Sequence, residues 1–118
     1  MNFPTGERKP ADDAPDLMVG WTTTDSREAG EKLGRGLVET GLVACAQVDG
    51  PVTSIYRWNG AVETAAEFRL TVKFLASREP DVQAWLLAHH SYETPQWVCV
   101  AADVVAKNYL NWVHQTSS

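Results

Sequence analysis

Two adjacent histidines, His89 and His90, precede the segment Ser-Tyr-Glu-Thr-Pro at 91–95. Neutral imidazole is a common ligand for copper and zinc. Neighbouring residues on a helix point about 100° apart, so the two rings meet one ion only where a helix breaks, as 91–95 predicts. The structural alternative has His89 packed on a helical stripe and His90 capping the helix end, where a cation suits the dipole. A second group is dispersed along the chain. Trp58, Glu63, Lys73, His90 and Tyr92 supply aromatic surface with a few charges, the usual make-up of a small-ligand site. Their alternative is assembly: Glu63 pairs with Lys73 at an interface and Tyr92 donates to a neighbour's backbone, fixing geometry for little net stability. Nucleophilic catalysis has no comparable set. Cys45 and Cys99 lie in the apolar runs "LVACAQV" and "WVCVAA", without the basic neighbour that activates a thiolate. GxSxG, P-loop and HExxH patterns do not occur. His90 with Glu63 or Glu93 is the one acid–base pair on offer, and His114 stands alone. The chain reads as a binding protein rather than an enzyme, with no required cofactor and Cu(II) or another divalent ion as the metal its histidines suit.

Several partner classes are excluded by composition. The 118 residues make one domain by size. The net charge is −5, the pI is near 5.0 and no lysine–arginine run occurs. Nucleic-acid backbones and anionic membrane surfaces both require clustered positive charge. No apolar stretch approaches the roughly 20 residues that span a bilayer. Residues 1–15 carry charges and three prolines, and read as a disordered tail without the apolar core of a secretory signal. Residues 16–118 form the folded domain. Unpaired cysteines in apolar runs read as reduced thiols of a cytoplasmic protein.

The elements that must position these residues follow from periodicity. Residues 16–24 predict a strand. Asp25 and Glu28 are spaced as a capping box, and Ala29, Leu33 and Leu37 mark the core stripe of the helix behind them. Its three glycines either weaken it or allow close approach to a sheet. Residues 42–48 read as a second strand, with Gly50-Pro51 as punctuation. Residues 52–58 are extended, and Asn59-Gly60 is a strong hairpin signal. In 67–74, Phe68, Leu70, Val72 and Phe74 alternate with Glu67, Arg69, Thr71 and Lys73, so one face is core and the other polar. Pro80 suits a first helical turn, with Val82, Trp85, Leu86 and His89 as the stripe. Residues 96–102 predict a strand and 108–115 a short helix. The order is β-α-β-β-α-β with an extended β-ribbon and a C-terminal helix: an α+β, ferredoxin-like split βαβ arrangement. Its outer strands carry the two cysteines, too far apart for an internal bridge.

The segments "ACAQVDGPVTSIYRWNGAVET", "LTVKF", "HHSYETPQWVCV" and "NYLNWV" together resemble the CutA family of divalent-ion tolerance proteins, from about Leu17 to Val113. The resemblance implies a homotrimer of ferredoxin-like subunits, similar in architecture to PII signalling proteins. It implies long ribbons packed between subunits, which gives Tyr56, Arg57 and Trp58 a role in the trimer. It also implies intersubunit clefts near Trp58, Glu63, Lys73 and Tyr92. Some members bind copper through an adjacent histidine pair, matched here by His89 and His90, and a cysteine whose position falls on Trp21. The family's proline after the second histidine is Ser91 here, and its glutamate after the second proline is Gln96. A PII-like sensor or adaptor for a small metabolite or a protein is the alternative function.

Overall fold

The computed structural model describes residues 14–117, so the predicted tail lies outside the described residues except for its last two positions. In order, the elements are β1 (Leu17–Thr24), α1 (Arg27–Glu39), β2 (Cys45–Trp58), β3 (Ala61–Leu75), a 3-10 turn (Ala76–Arg78), α2 (Glu79–His89), β4 (Val98–Ala101) and α3 (Lys107–Thr116). All four strands form one antiparallel sheet, ordered β2-β3-β1-β4. β3 separates β1 from β2, and Cys45 and Cys99, both free thiols, sit on the two outer strands.

Helix α1 begins one residue later than the Asp25–Glu28 pair predicts. Ser26 is the cap, with extended backbone and its Oγ accepting from Ala29 N at 3.1 Å. Leu33 and Leu37 are buried as the stripe requires, together with Gly30 and Gly34. A Cβ on Gly34 would stand 3.0 Å from Ala46 Cβ and 3.1 Å from Leu70 Cδ1. Its absence lets the helix lie directly on the sheet, which offsets a helix-propensity cost of about 1 kcal/mol. Leu33 and Leu37 pack with Leu70, Val72 and Phe74 of β3 and with Val82 and Leu86 of α2 to form the main core.

The alternate residues of β3 look the other way. In register with them, Val19 pairs with Lys73 and Val100, and Trp21 pairs with Thr71 and Val98. Helix α3 covers only one end of this second face, where Val113 packs with Leu17 and Ala44. Farther along, Val98 remains 53% exposed.

One expectation needs correction. Residues 42–48 and 52–58 are not two segments split at Gly50-Pro51, because β2 runs unbroken from Cys45 to Trp58. Its register against β3 shifts between Asp49 and Val52, an irregularity of the bulge kind that accommodates a proline lacking a ladder N–H. The ribbon is therefore the outer half of β2 and β3 themselves. Asn59 and Gly60 close it with φ values of 49° and 80°, the left-handed pair that a two-residue hairpin turn demands. Arg27 fastens its base, donating to Gly50 O at 3.2 Å and lying 5.2 Å over the Phe68 ring. The molecule measures 50 × 32 × 22 Å. On the ribbon, Ile55 is 70% and Val62 65% exposed.

Candidate functional site

The two histidines are separated by the end of α2. His90 is the C-cap: its backbone turns extended (φ −72°, ψ 142°) while its N–H still bonds Leu86 O at 2.9 Å. His89 stays on the helix, but it is exposed rather than part of the core stripe. Val82 and Leu86 fill the core, and Trp85 lies across Gly36 of α1, where an added Cβ would come within 2.5 Å of the indole. His89 stacks on that indole, with ring centroids 3.9 Å apart, and its Nδ1 donates to Trp85 O at 2.7 Å.

His90 turns toward the end of β1. Its Nδ1 accepts from Tyr92 N at 3.0 Å, so the ring proton sits on Nε2. That proton is donated to Thr23 O at 2.9 Å and Thr22 Oγ1 at 3.2 Å. Thr22 is 1% exposed, and leaving its hydroxyl without a partner costs about 1–3 kcal/mol. The bond to Tyr92 N holds the tyrosine ring against the imidazole, with centroids 4.8 Å apart. Tyr92 OH then donates to Glu67 Oε2 at 2.8 Å. Burial, followed by this carboxylate, pushes the phenol well above its ordinary range, and the Asp25 carboxylate adds to the shift. The result is a polar cluster on three elements: β1 through Thr22 and Thr23, β3 through Glu67, and the segment after α2 through His90 and Tyr92.

The other predicted site residues lie elsewhere on the chain. Tyr56, Arg57 and Trp58 are exposed near the tip of the ribbon, with Glu63 opposite Tyr56. Lys73 donates to Gln47 Oε1 at 3.3 Å and approaches the Tyr109 ring at 5.8 Å on the sheet face away from α1 and α2. Ten residues of extended strand separate Glu63 from Lys73, about 33 Å at the usual rise, so the two do not pair within one chain. Among the described residues no hydrogen bond joins His90 to Glu63 or Glu93. Glu67 was not singled out by its sequence. It reads as one more polar position in an alternating strand, and its tyrosine partner comes 25 residues later.

A divalent ion finds no chelating set here. Both ring nitrogens of His90 are engaged, and Trp21 lies on the open sheet face while its neighbour Thr22 bonds the imidazole. Among the described residues, no group of three or more His, Cys, Asp or Glu side chains is placed to hold a metal. The donors among the described residues of one chain therefore do not fit a chelated copper-type ion.

Comparison with known proteins places this chain. Residues 18–116 match the family model described as CutA1 divalent ion tolerance protein. The divalent-cation tolerance protein CutA of Archaeoglobus fulgidus is 31% identical over 96 residues, which cover 81% of this chain and 93% of that protein. Protein CutA of Mus musculus is 28% identical over 101 residues, 86% of this chain, but the match spans only 57% of the mouse protein. The structure of CutA from Synechococcus elongatus superposes with a TM-score of 0.85 at 28% identity, covering 89% of this chain and 93% of that one. With a matched fold and nearly the whole described chain covered by the family model, the chain belongs to the CutA1 divalent ion tolerance protein family.

Proposed function

We propose that this divalent-cation tolerance protein works as a homotrimer of ferredoxin-like subunits and binds a small ligand in clefts between them. The observation that carries the reading is apolar surface without cover. Ile55, Trp58 and Val62 on the ribbon and Val98 and Val100 on the open sheet face are all exposed in one chain. Apolar patches of that kind mark interaction sites. Neighbouring subunits cover them, and Tyr56, Arg57 and Trp58 of each ribbon lie against the next sheet. Glu63 and Lys73, too distant to pair within a chain, then approach from different subunits. Each cleft takes its polar groups from the Tyr92–Glu67–His90 cluster and its aromatic surface from a ribbon. That is the composition of a small-ligand site, and it works by binding without a catalytic group.

A copper-type ion is the second reading. The name of the family favours it, and the donor set of this chain does not. The PII-like alternative, a sensor or adaptor, uses the same clefts, but the relatives described above carry the CutA name. Location in the cytoplasm belongs to the proposal too, supported by the two free thiols on opposite sheet edges. Native mass spectrometry tests the ligand: a trimer carrying a co-purifying small molecule is expected. Bare trimers across several independent preparations would count against a tightly held cleft ligand.

A further inference from the structure

We infer that His89 and His90 are not a chelating pair in this chain: His90 is a positioning residue that clasps the segment after α2 to β1, and His89 is the only one of the two with a nitrogen free for a divalent ion. The inference concerns a single chain and stands independently of the proposed trimer and its cleft.

Three observations carry it. The first is the nitrogen inventory. His90 spends Nδ1 on the Tyr92 N–H and Nε2–H on Thr23 O and Thr22 Oγ1, so no lone pair of the ring remains for a metal. Swinging the ring toward an ion would abandon all three partners, the buried Thr22 hydroxyl among them. The second is direction. His89 donates Nδ1–H to Trp85 O and stacks on the indole, which leaves only Nε2 as a donor atom. His89 borders a groove of about 510 Å³ between α1 and α2, whose lining includes Lys32, Arg35 and one carboxylate, Glu39. The net positive charge disfavours a chelated divalent ion while leaving room for weak contact at Nε2. The third is dependence. Tyr92 reaches Glu67 from a backbone that His90 Nδ1 holds in place, so the imidazole acts through Tyr92.

The test is nitrogen NMR of protein labelled with ¹⁵N-histidine at neutral pH, titrated with Zn(II). Before metal, His90 should show the Nε2–H tautomer and His89 the Nδ1–H tautomer. Up to one equivalent of Zn(II), both His90 signals should stay in place while, of the adjacent pair, His89 Nε2 responds. Signals of both residues moving together at the same Zn(II) concentration would overturn the inference. Variants give a second arm. Losing even an outer-shell partner of a bound metal costs about 10–100-fold in affinity, so a chelating pair would lose at least that in either single variant. Instead, His90→Ala should leave Zn(II) affinity within about threefold and lower the melting temperature. His89→Ala should weaken Zn(II) binding at an unchanged melting temperature. His90→Gln retains an N–H for Thr23 O and should recover part of the lost melting temperature. No recovery in His90→Gln would remove the positioning role. The titration of the native protein stands even if His90→Ala fails to fold.

Discussion

Replacing Tyr92 by phenylalanine removes one oxygen and keeps the ring that packs on His90. The lost bond to Glu67 Oε2 is 2.8 Å long and charge-assisted, and bonds to charged groups contribute about 1.5–3 kcal/mol. Both residues are half-buried, so the lower end applies, about 1.5 kcal/mol, and Glu67 can recover water as a partner. A domain of this size shifts by about 4 °C or more per kcal/mol, so Tyr92→Phe should melt about 6 °C below the native protein at pH 7. Protomer concentration must be equal in both scans, because assembly adds to apparent stability. The pH dependence gives a stricter check. The folded phenol titrates above its ordinary value of 10.0, through burial first and Glu67 second. The folded state therefore holds the proton more tightly than the unfolded one. Its contribution is full below about pH 10 and is lost as pH rises from there toward the raised folded value. The gap between native and variant should be constant from pH 7 to 9 and narrow above pH 10. An equal melting temperature at pH 7, or a gap that ignores alkaline pH, would refute the role given to the Tyr92–Glu67 bond.

Gly20→Ala should cost about 1–3 kcal/mol as overpacking, because its Cβ would come within 2.4 Å of Trp97 Cη2. That indole cannot easily swing away: it donates to Glu79 Oε2 at 3.0 Å and stacks on Phe74. Urea denaturation reads the loss. Trp58→Ala should raise the trimer dissociation constant by more than the tenfold that about 1.4 kcal/mol represents, since buried interface tryptophans are frequent hot spots. Sedimentation at graded concentrations measures it, with the subunit fold unchanged by circular dichroism. Asp49 lies 2.7 Å from Arg69, whose hydrogen bond holds its carboxyl below the ordinary value of 3.8. The stabilisation is present above that value and disappears as pH falls through the depressed one. Asp49→Asn should lower the melting temperature slightly at pH 7, as befits an exposed pair, and the gap to the native protein should close as pH falls below 4, which flattens the variant's acid limb.

Much of the fold was legible because its signals are local. Alternation through Phe68–Phe74 located both faces of β3, the Leu33 and Leu37 spacing located the core side of α1, and Asn59-Gly60 located the ribbon turn. The misreadings came where a tertiary contact or an adjacent residue overrode the first local cue. Gly50-Pro51 looked like a strand end, yet pairing with β3 carries the strand through it with a shift of register. Asp25 looked like a cap, yet Ser26 supplies the oxygen that meets Ala29 N. In the site, His90 at the helix end was legible from the break at 91–95. What its ring touches was not, because Thr22 and Thr23 lie more than 65 positions earlier. Glu67 was hidden for the same reason, as strand alternation says which face a carboxylate occupies and nothing about a tyrosine arriving from another element.

Assembly is the claim on which the cleft and the ribbon's purpose both depend. Light scattering on the eluting protein, at micromolar concentration and physiological salt, tests it directly. The account predicts a single species with three times the mass of the 13.0 kDa chain, stable on dilution across the micromolar range. A species with the mass of one chain under those conditions would contradict it, leaving Trp58 and the open sheet face without the neighbours assigned to them.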